Sequence, residues 1–286
     1  MLNVGQGDAI LIQTSEQNVL IDTSDVDERD NLKRELYKAG AYRLDKIILS
    51  HPHADHIGNC AFLIQNGVFK VKSVYDNGVI STSKLYQNYI AECDRLKVPH
   101  KSLAAGDVLD LGEGAKFTVI YPPREMVDAL NTYTLRGDSI NDGIVGRLTY
   151  GTFSMLVTGD AEASVENDLL LQIEPCTVLK APHHGSSTSS TLNFVKAVNP
   201  EYVFISAGKP TTIRGGNTYG HPHTQALQNY LKAGVDPKKI LWTYPQGTII
   251  LTTDGITTTV ETEKPIDWLY FYLMEKSDGN VTEMTF

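Results

Sequence analysis

The segment His51-Pro52-His53-Ala54-Asp55-His56 constrains this chain more than any other part of its sequence. It places three histidines and one carboxylate within six residues, directly after the apolar run Asp45-Lys46-Ile47-Ile48-Leu49-Ser50. A β-branched run of this kind predicts a buried strand, so the histidines belong to the loop at its end. Imidazole and carboxylate groups are ligands of zinc and manganese in proteins. The segment therefore predicts a metal site carried on a sheet edge.

Other groups of the same chemistry also follow apolar runs. Seven of the eight histidines lie in such clusters, and only His100 stands apart. Asp22 closes a second predicted strand and is expected near the same site. This clustering predicts that the strand ends meet at one shared centre. Besides the His51–His56 segment, the clusters are Asp8, Asn141-Asp142, Asp160, His183-His184 and His221 with His223.

Apolar periodicity divides the chain into alternating strands and helices. The polar segment 124–140 has no clear period and is predicted to be a loop bordering the active site. Runs of strands followed by helices, twice over, predict an α/β sandwich of two mixed sheets flanked by helices. Strands are predicted near 8–13, 18–22, 45–50, 68–75, 116–121, 144–150, 153–158, 176–180, 202–207, 239–243 and 247–252, and helices near 29–40, 58–66, 81–97, 163–172, 189–198 and 224–233.

No linker rich in Pro, Gly or Ser interrupts this pattern. One domain is therefore predicted over residues 1–262, with residues 263–286 as a C-terminal extension docked on it. The net charge of −9 argues against a generally basic nucleic-acid-binding protein, although a local basic groove stays compatible with it. No apolar run is long enough to span a bilayer, and the first residues have no signal-peptide core. The three scattered cysteines are expected to serve packing.

The pattern His-x-His-x-Asp-His-Ile-Gly after an apolar strand resembles the metallo-β-lactamase superfamily of metal-dependent hydrolases. Within it, the order of Val4–Ala9, Thr158–Asp160, Leu179–Ser186 and Tyr219–His223 resembles the hydrolase domains of ComEC-type competence proteins. Phosphorylcholine esterases share a similar layout. The resemblance covers about residues 2 to 255 and implies the αββα sandwich of the superfamily. It also implies an extracytoplasmic location if the chain works as those domains do, and a cytoplasmic one otherwise.

The resemblance further implies one or two divalent metal ions, zinc or manganese. His51 and His53 would hold the first ion. Members of the superfamily carry a further histidine before the Gly-Asp strand, where this chain reads Asn141-Asp142-Gly143. ComEC-type domains have Asn and a nearby Ser in that region, and Gly143 replaces the Ser. The ligand set of the first metal site would then be completed by Asp142 or by water, or the site would bind its ion weakly.

For the second ion, the resemblance implies Asp55 and His56 as ligands. Asp160 would bridge the two ions, and either His183 or His184 would close the second site. Ser24 departs from the glycine that the superfamily usually has after Asp-Thr, but this change removes no ligand.

The residues favour phosphodiester hydrolysis, and the resemblance to ComEC-type domains implies DNA as the candidate diester. A bound divalent ion lowers the pKa of water from ~15.7 toward ~7 and so provides hydroxide at neutral pH. Lys180 is predicted to neutralise a phosphate oxygen, and His221 to give a proton to the leaving oxygen. Together with Asp55 they form the predicted catalytic set. Hydroxyl groups of Ser186-Ser187-Thr188 suit a tetrahedral phosphoryl group.

Two other functions fit the same sequence. One is hydrolysis of a small phosphoester, or of another ester or amide, by the same centre. The other is a binding module that holds metal without hydrolysis. Plainer roles also exist for single residues, because Lys180 could be a solvated strand-end lysine and His221 could pack beside Pro222.

Overall fold

The chain folds as two β-sheets that pack face to face between two layers of helices. A computed structural model describes residues 1–133, 143–212 and 216–269. This arrangement confirms the predicted αββα sandwich of two mixed sheets. None of the described helices is both long and apolar enough to cross a membrane.

The first sheet has the order β1-β2-β3-β4-β5. Strands β1 and β2 are antiparallel, whereas β2 to β5 run parallel to one another. Strand β3, with its apolar residues Ile47 and Ile48, lies at the centre and leads into the His51–His56 segment. The strands are β1 (Ile10–Gln13), β2 (Asn18–Ile21), β3 (Lys46–Ile48), β4 (Val74–Asp76) and β5 (His100–Ser102).

The second sheet has the order β12-β11-β10-β9-β8-β7-β6. Its first four strands in that order are parallel, and the pairs from β9 to β6 are antiparallel. A separate ribbon of two strands, β13 (Ile249–Thr253) and β14 (Thr258–Thr262), follows. The sheet strands are β6 (Val108–Gly112), β7 (Ala115–Tyr121), β8 (Val145–Tyr150), β9 (Phe153–Val157), β10 (Val178–Lys180), β11 (Tyr202–Ile205) and β12 (Ile240–Trp242).

Helices cover the outer faces of both sheets because each carries an apolar stripe that must be buried. Helices α1, α3 and α4 cover the first sheet, and α6, α7 and α8 cover the second. The described helices are α1 (Arg29–Lys38), α2 (Ala54–Ile57), α3 (Cys60–Gln65), α4 (Lys84–Leu96), α5 (Arg124–Tyr133), α6 (Ala163–Leu169), α7 (Leu192–Val198), α8 (Thr224–Lys232) and α9 (Thr243–Gln246).

Three apolar clusters fill the layers. The central cluster lies between the sheets, where Ile48 of β3 and Val157 of β9 belong to the same core. The other two clusters lie under the outer helices, as with Leu36 of α1 and Leu227 of α8. The strands that carry the candidate site are thus buried on both faces, which holds their ends in place.

The predicted loop at 124–140 is wrong for its first part, which forms helix α5. Met126 and Val127 give this segment an apolar face, and Val127 is buried. The Tyr121 hydroxyl contacts the Met126 sulfur at 3.2 Å, so packing on β7 stabilises a helix whose own pattern is short. Residues 134–140 lie outside the described residues, as do Asn141 and Asp142. Strands β5, β6 and β14 were not predicted either.

The described end of the chain packs onto the second sheet. The Trp268 ring lies 5.1 Å from the Trp242 ring, and its indole N–H donates to the Ile240 carbonyl at 3.0 Å. Trp268 and Leu269 are both buried in the cluster under α8. The domain boundary after residue 262 stays a prediction.

Candidate metal centre

The candidate centre lies at the edge where the parallel strands of both sheets end. Strands β2 and β3 are parallel in one sheet, and β9, β10 and β11 are parallel in the other. Carboxyl ends of parallel strands meet at a common edge, which is where α/β proteins place their ligands. The residues that follow these strands are Asp22 after β2, Ser50 to His56 after β3, Asp160 after β9, Pro182 to Gly185 after β10 and Ser206 after β11.

The His51–His56 segment turns directly from strand into helix. His53 is extended (φ −72°) and precedes the single turn of α2, so Asp55 and His56 come from its first turn. Gly7 allows the N-terminal segment to lie beneath this loop, because a Cβ there would come 2.4 Å from the Asp55 carbonyl oxygen. The Asp8 amide donates to that same carbonyl at 3.1 Å. The Gly-Gln-Gly-Asp segment therefore supports the loop from below.

The His183-His184 pair adopts an unusual backbone. Both residues are left-handed, with φ of +48° and +55°, a conformation that costs free energy in residues with a side chain. The His183 amide donates to the Gly159 carbonyl at 3.1 Å, and the Ser186 amide donates to the His183 carbonyl at 2.8 Å. These bonds hold the turn, which directs both imidazoles toward Asp160.

Three buried histidines each have the Nδ1 atom held by a hydrogen bond. His56 Nδ1 lies 2.8 Å from Asp22 Oδ2, and His184 Nδ1 donates to the Ser206 carbonyl at 2.7 Å. His51 Nδ1 lies 3.0 Å from Ser50 Oγ, and that hydroxyl itself donates to Asp22. With the proton on Nδ1, each ring presents the lone pair of Nε2, which is how outer hydrogen bonds prepare histidines for metals.

The three Nε2 atoms converge on the carboxylate of Asp160. The distances to its oxygens are 3.3 Å from His56, 3.4 Å from His184 and 4.0 Å from His51. All three Nε2 atoms are buried and have no hydrogen-bond partner in the described structure, and the same holds for Asp160 Oδ1. Buried polar atoms are rarely left unpaired, so a bound cation fits this arrangement.

One tight group of four candidate ligands results: Asp55, His56, Asp160 and His184, whose ligand atoms lie within 4.8 Å of one another. The structure thus places His184 within the tight group of residues predicted for the second ion, whereas His183 lies beside that group with its Nε2 atom 3.7 Å from Asp160 Oδ2. His51 and His53 lie beside this group, with ring centroids 4.6 Å apart.

A second group of possible ligands consists of Asp8, Asp22 and His56. It uses His56 Nδ1, which is already bonded to Asp22. The charge of Asp8 is met by the Lys180 ammonium at 2.5 Å. The Lys180 ammonium therefore already supplies positive charge to this second group. We assign the second group to the hydrogen-bonded surroundings of the first group.

The ionisable groups of the centre are strongly perturbed. Burial acts to lower the pKa of His56, but the carboxylates of Asp160, Asp22 and Asp55 outweigh it and raise the pKa well above the usual value. Burial acts to raise the pKa of Asp160, and His184 and His56 reverse this and hold it well below its usual range. The carboxylates thus stay charged and demand positive charge from imidazolium or from a metal ion.

The structure places the Lys180 ammonium among buried carboxylates. No part of its side chain is exposed, and its ammonium contacts Asp8 at 2.5 Å, the Gly159 carbonyl at 2.8 Å and Asp160 at 3.6 Å. The ammonium lies beneath the candidate ligands rather than on their open side. It therefore neutralises carboxylates within the protein, and a contact with a substrate phosphate stays a prediction.

The residues predicted around the open side are His183 and His221. His183 is partly exposed, and its Nε2 atom lies 3.7 Å from Asp160 Oδ2. His221 is buried, its ring lies 5.4 Å from that of His183, and its Nδ1 has no partner among the described residues. Burial, followed by the neighbouring histidines, lowers the pKa of His221 to about 3. His221 is therefore neutral at pH 7, which suits a hydrogen-bond donor better than a general acid.

The remaining two histidines have structural partners. His223 Nδ1 accepts from the Ser187 amide, and its Nε2 donates to the Tyr219 carbonyl, both at 2.9 Å. His100 lies 2.8 Å from Asp76, outside the centre, as the sequence predicted. Ser50 and Ser206, which orient His51 and His184, were not predicted, although Ser50 stands directly before the motif.

Asp22 offers the first test of these hydrogen bonds. The Asp22→Ala variant frees His56 Nδ1, and we expect the affinity for zinc or manganese to fall by roughly 10–100-fold. Competition with a chromophoric chelator measures this change. The matched control is Asp76→Ala, which breaks the partly buried Asp76–His100 hydrogen bond and should leave metal affinity unchanged. Equal affinities in the wild type and Asp22→Ala would contradict the assignment.

The comparison with known proteins agrees with this geometry. Residues 2–130 match the family model described as Metallo-beta-lactamase superfamily. The chain is 28% identical over 270 residues to ComE operon protein 3 of Bacillus subtilis (strain 168), covering 87% of this chain and 32% of that protein. It is also 28% identical over 235 residues to Competence protein ComA of Neisseria gonorrhoeae, covering 81% and 29%. The chain spans about a third of the length of these relatives.

A solved structure supports the fold. The metallo-beta-lactamase fold protein YhfI from Bacillus subtilis superposes with a TM-score of 0.50 at 15% identity, covering 84% of this chain and 92% of that one. The sandwich fold, the candidate ligands at the strand ends and the match to the family model thus agree with one another. Residues 2–130 thus match the metallo-beta-lactamase superfamily model, the chain has the metallo-beta-lactamase fold, and its sequence resembles the ComEC-like competence proteins.

Proposed function

We propose that this chain is a metal-dependent phosphodiesterase that acts on DNA. The observation that carries the proposal is the convergence of three buried, unpaired Nε2 atoms on Asp160, with Asp55 beside them. We propose His51, His53, Asp55, His56, Asp160 and His184 as the residues that hold one or two zinc or manganese ions, with His183 at the open side.

The chain's own groups supply the remaining chemistry. When bound, a divalent ion would lower the pKa of water and neutralise charge on the reacting phosphoryl group. Asp55 is the carboxylate of the tight group with an exposed portion, 22% of its side chain. Burial acts to raise the pKa of Asp55, but His56 and His184 hold it well below its usual range. An ionised Asp55 accepts a hydrogen bond from water and so orients it toward the substrate.

Groups on the open side favour a phosphoryl substrate. Ser187 and Thr188 are exposed, and the Thr188 hydroxyl lies 3.4 Å from His183 Nδ1. Neutral His221 adds a further hydrogen-bond donor next to His183. Several donors around one point suit the oxygens of a tetrahedral anion. Resemblance to a protein named for competence makes DNA the diester to test first.

The test is a substrate panel with zinc- or manganese-loaded protein: single-stranded DNA, bis-p-nitrophenyl phosphate, a chromogenic β-lactam and a thioester. We expect cleavage of the two phosphodiesters. His184→Ala should abolish this activity, because its Nε2 atom belongs to the candidate ligand group. His100→Ala removes a histidine outside the centre and should retain the activity.

Two outcomes would contradict the proposal. Hydrolysis of the β-lactam or thioester with both phosphodiesters intact would indicate another hydrolase activity. Full metal occupancy without turnover of any substrate would indicate a metal-holding binding module.

A further inference from the structure

An exposed tyrosine continues the candidate centre toward solvent. Tyr219 is 71% exposed, whereas most large aromatic side chains in the described part of the chain are more deeply covered. Its ring stacks on His221 with centroids 5.7 Å apart and planes 16° from parallel. His221 in turn stacks on His184 at 5.9 Å and 23°. The three rings form a continuous stack that leads from the protein surface to a candidate metal ligand.

The backbone that carries this ring stack is held firmly. The Asn217 side chain accepts from the amides of Gly220 and His221 at 3.0 Å, and it donates to the Gly208 carbonyl at 2.9 Å. His223 donates to the Tyr219 carbonyl at 2.9 Å. These hydrogen bonds restrain the backbone that carries Tyr219, and the contact with His221 orients its ring, which lowers the entropic cost of binding a flat group on its outer face.

We propose that Tyr219 is a stacking platform for a nucleobase of a single-stranded nucleic acid whose backbone enters the candidate centre. The inference rests on the proposed function for its substrate class. Each base offers a π-face to an aromatic side chain, so stacking tolerates any sequence. With a net charge of −9, broad electrostatic attraction to a polyanion is weak, and stacking has to provide more of the affinity.

The test measures binding rather than cleavage. A short fluorescein-labelled single strand is titrated in chelator at fixed ionic strength and followed by anisotropy. We expect Tyr219→Ala to weaken binding by roughly 5- to 150-fold, the loss of one base–aromatic stack. Tyr219→Phe keeps the ring and should stay within about 2-fold of the wild type. A strand with abasic sites should bind the wild type as weakly as the normal strand binds Tyr219→Ala.

The matched control is Tyr42→Ala. Tyr42 is also exposed, at 54%, but it precedes β3 and so lies away from the strand ends that form the centre. This variant should bind DNA as the wild type does, and metal content should stay equal in all variants. Equal binding by Tyr219→Ala and wild type would overturn the proposal, as would equal binding of normal and abasic strands. Tyr219-dependent binding without any phosphodiester cleavage would retain this inference and contradict only the proposed function.

Discussion

Replacing Asp160 by asparagine is expected to remove most of the bound metal and nearly all hydrolysis. Asp160 is the group on which His51, His56 and His184 converge, and its carboxylate is almost fully buried. The neutral amide removes the charge that attracts the cation and one of its oxygens. We expect a loss of metal affinity greater than the ~10–100-fold that an outer hydrogen-bond partner costs. Elemental analysis and chelator competition measure it.

The matched control for this change is Glu162→Gln. Glu162 lies two residues further along the same loop and comes within 3.6 Å of His183 Nδ1, outside the tight ligand group. The Glu162→Gln variant removes the same unit of charge as Asp160→Asn. Comparing the two variants therefore separates the effect of losing a metal ligand from the effect of losing local charge. Equal and full metal occupancy in Asp160→Asn and the wild type would show that the centre is assigned wrongly.

Replacing Lys180 by methionine is expected to destabilise the folded chain by about 3–5 kcal/mol. The reason is that Asp8 would keep a buried negative charge after losing its partner at 2.5 Å. Urea unfolding in chelator measures the change without a contribution from bound metal. The double variant Asp8→Asn, Lys180→Met removes both charges and should recover part of the lost stability.

The control for this pair is Lys239→Met at the protein surface. Lys239 contacts Glu201 at 2.8 Å, but both side chains are partly exposed, so the change should cost less than ~1 kcal/mol. Comparable losses for Lys180→Met and Lys239→Met would contradict a buried ion pair.

The Asp8–Lys180 pair also makes stability depend on pH. Burial acts to raise the pKa of Asp8, but Lys180 and the nearby histidines lower it from 3.8 to about 2. The unfolded chain therefore binds this proton at a higher pH than the folded chain does. The contribution of the pair is complete above about pH 4 and is lost as the pH falls through about 2. In Lys180→Met, this part of the acid dependence should shrink.

Much of the architecture was predictable because it depends on local periodicity. The apolar runs that became β3, β9 and β10 predicted buried strands, and the polar residues after them predicted the edge of the sandwich. Helix α5 was missed because its apolar face is short and gains its stability by packing against Tyr121. The His51–His56 motif also predicted a metal site by composition alone, since so many ligand-type groups in one loop need a shared partner.

The sequence by itself thus determined the sandwich, the resemblance to the metallo-beta-lactamase superfamily and the set of residues from which a metal centre can be built. Only the tertiary structure decided how that set divides. It placed His184 with Asp55, His56 and Asp160. It also paired His223 with a backbone carbonyl and buried Lys180 in an ion pair with Asp8. These outcomes depend on which ring nitrogen meets which carbonyl or carboxylate across strands far apart in the chain. Spacing along a sequence carries no information about such distances, because the packing of the two sheets sets them.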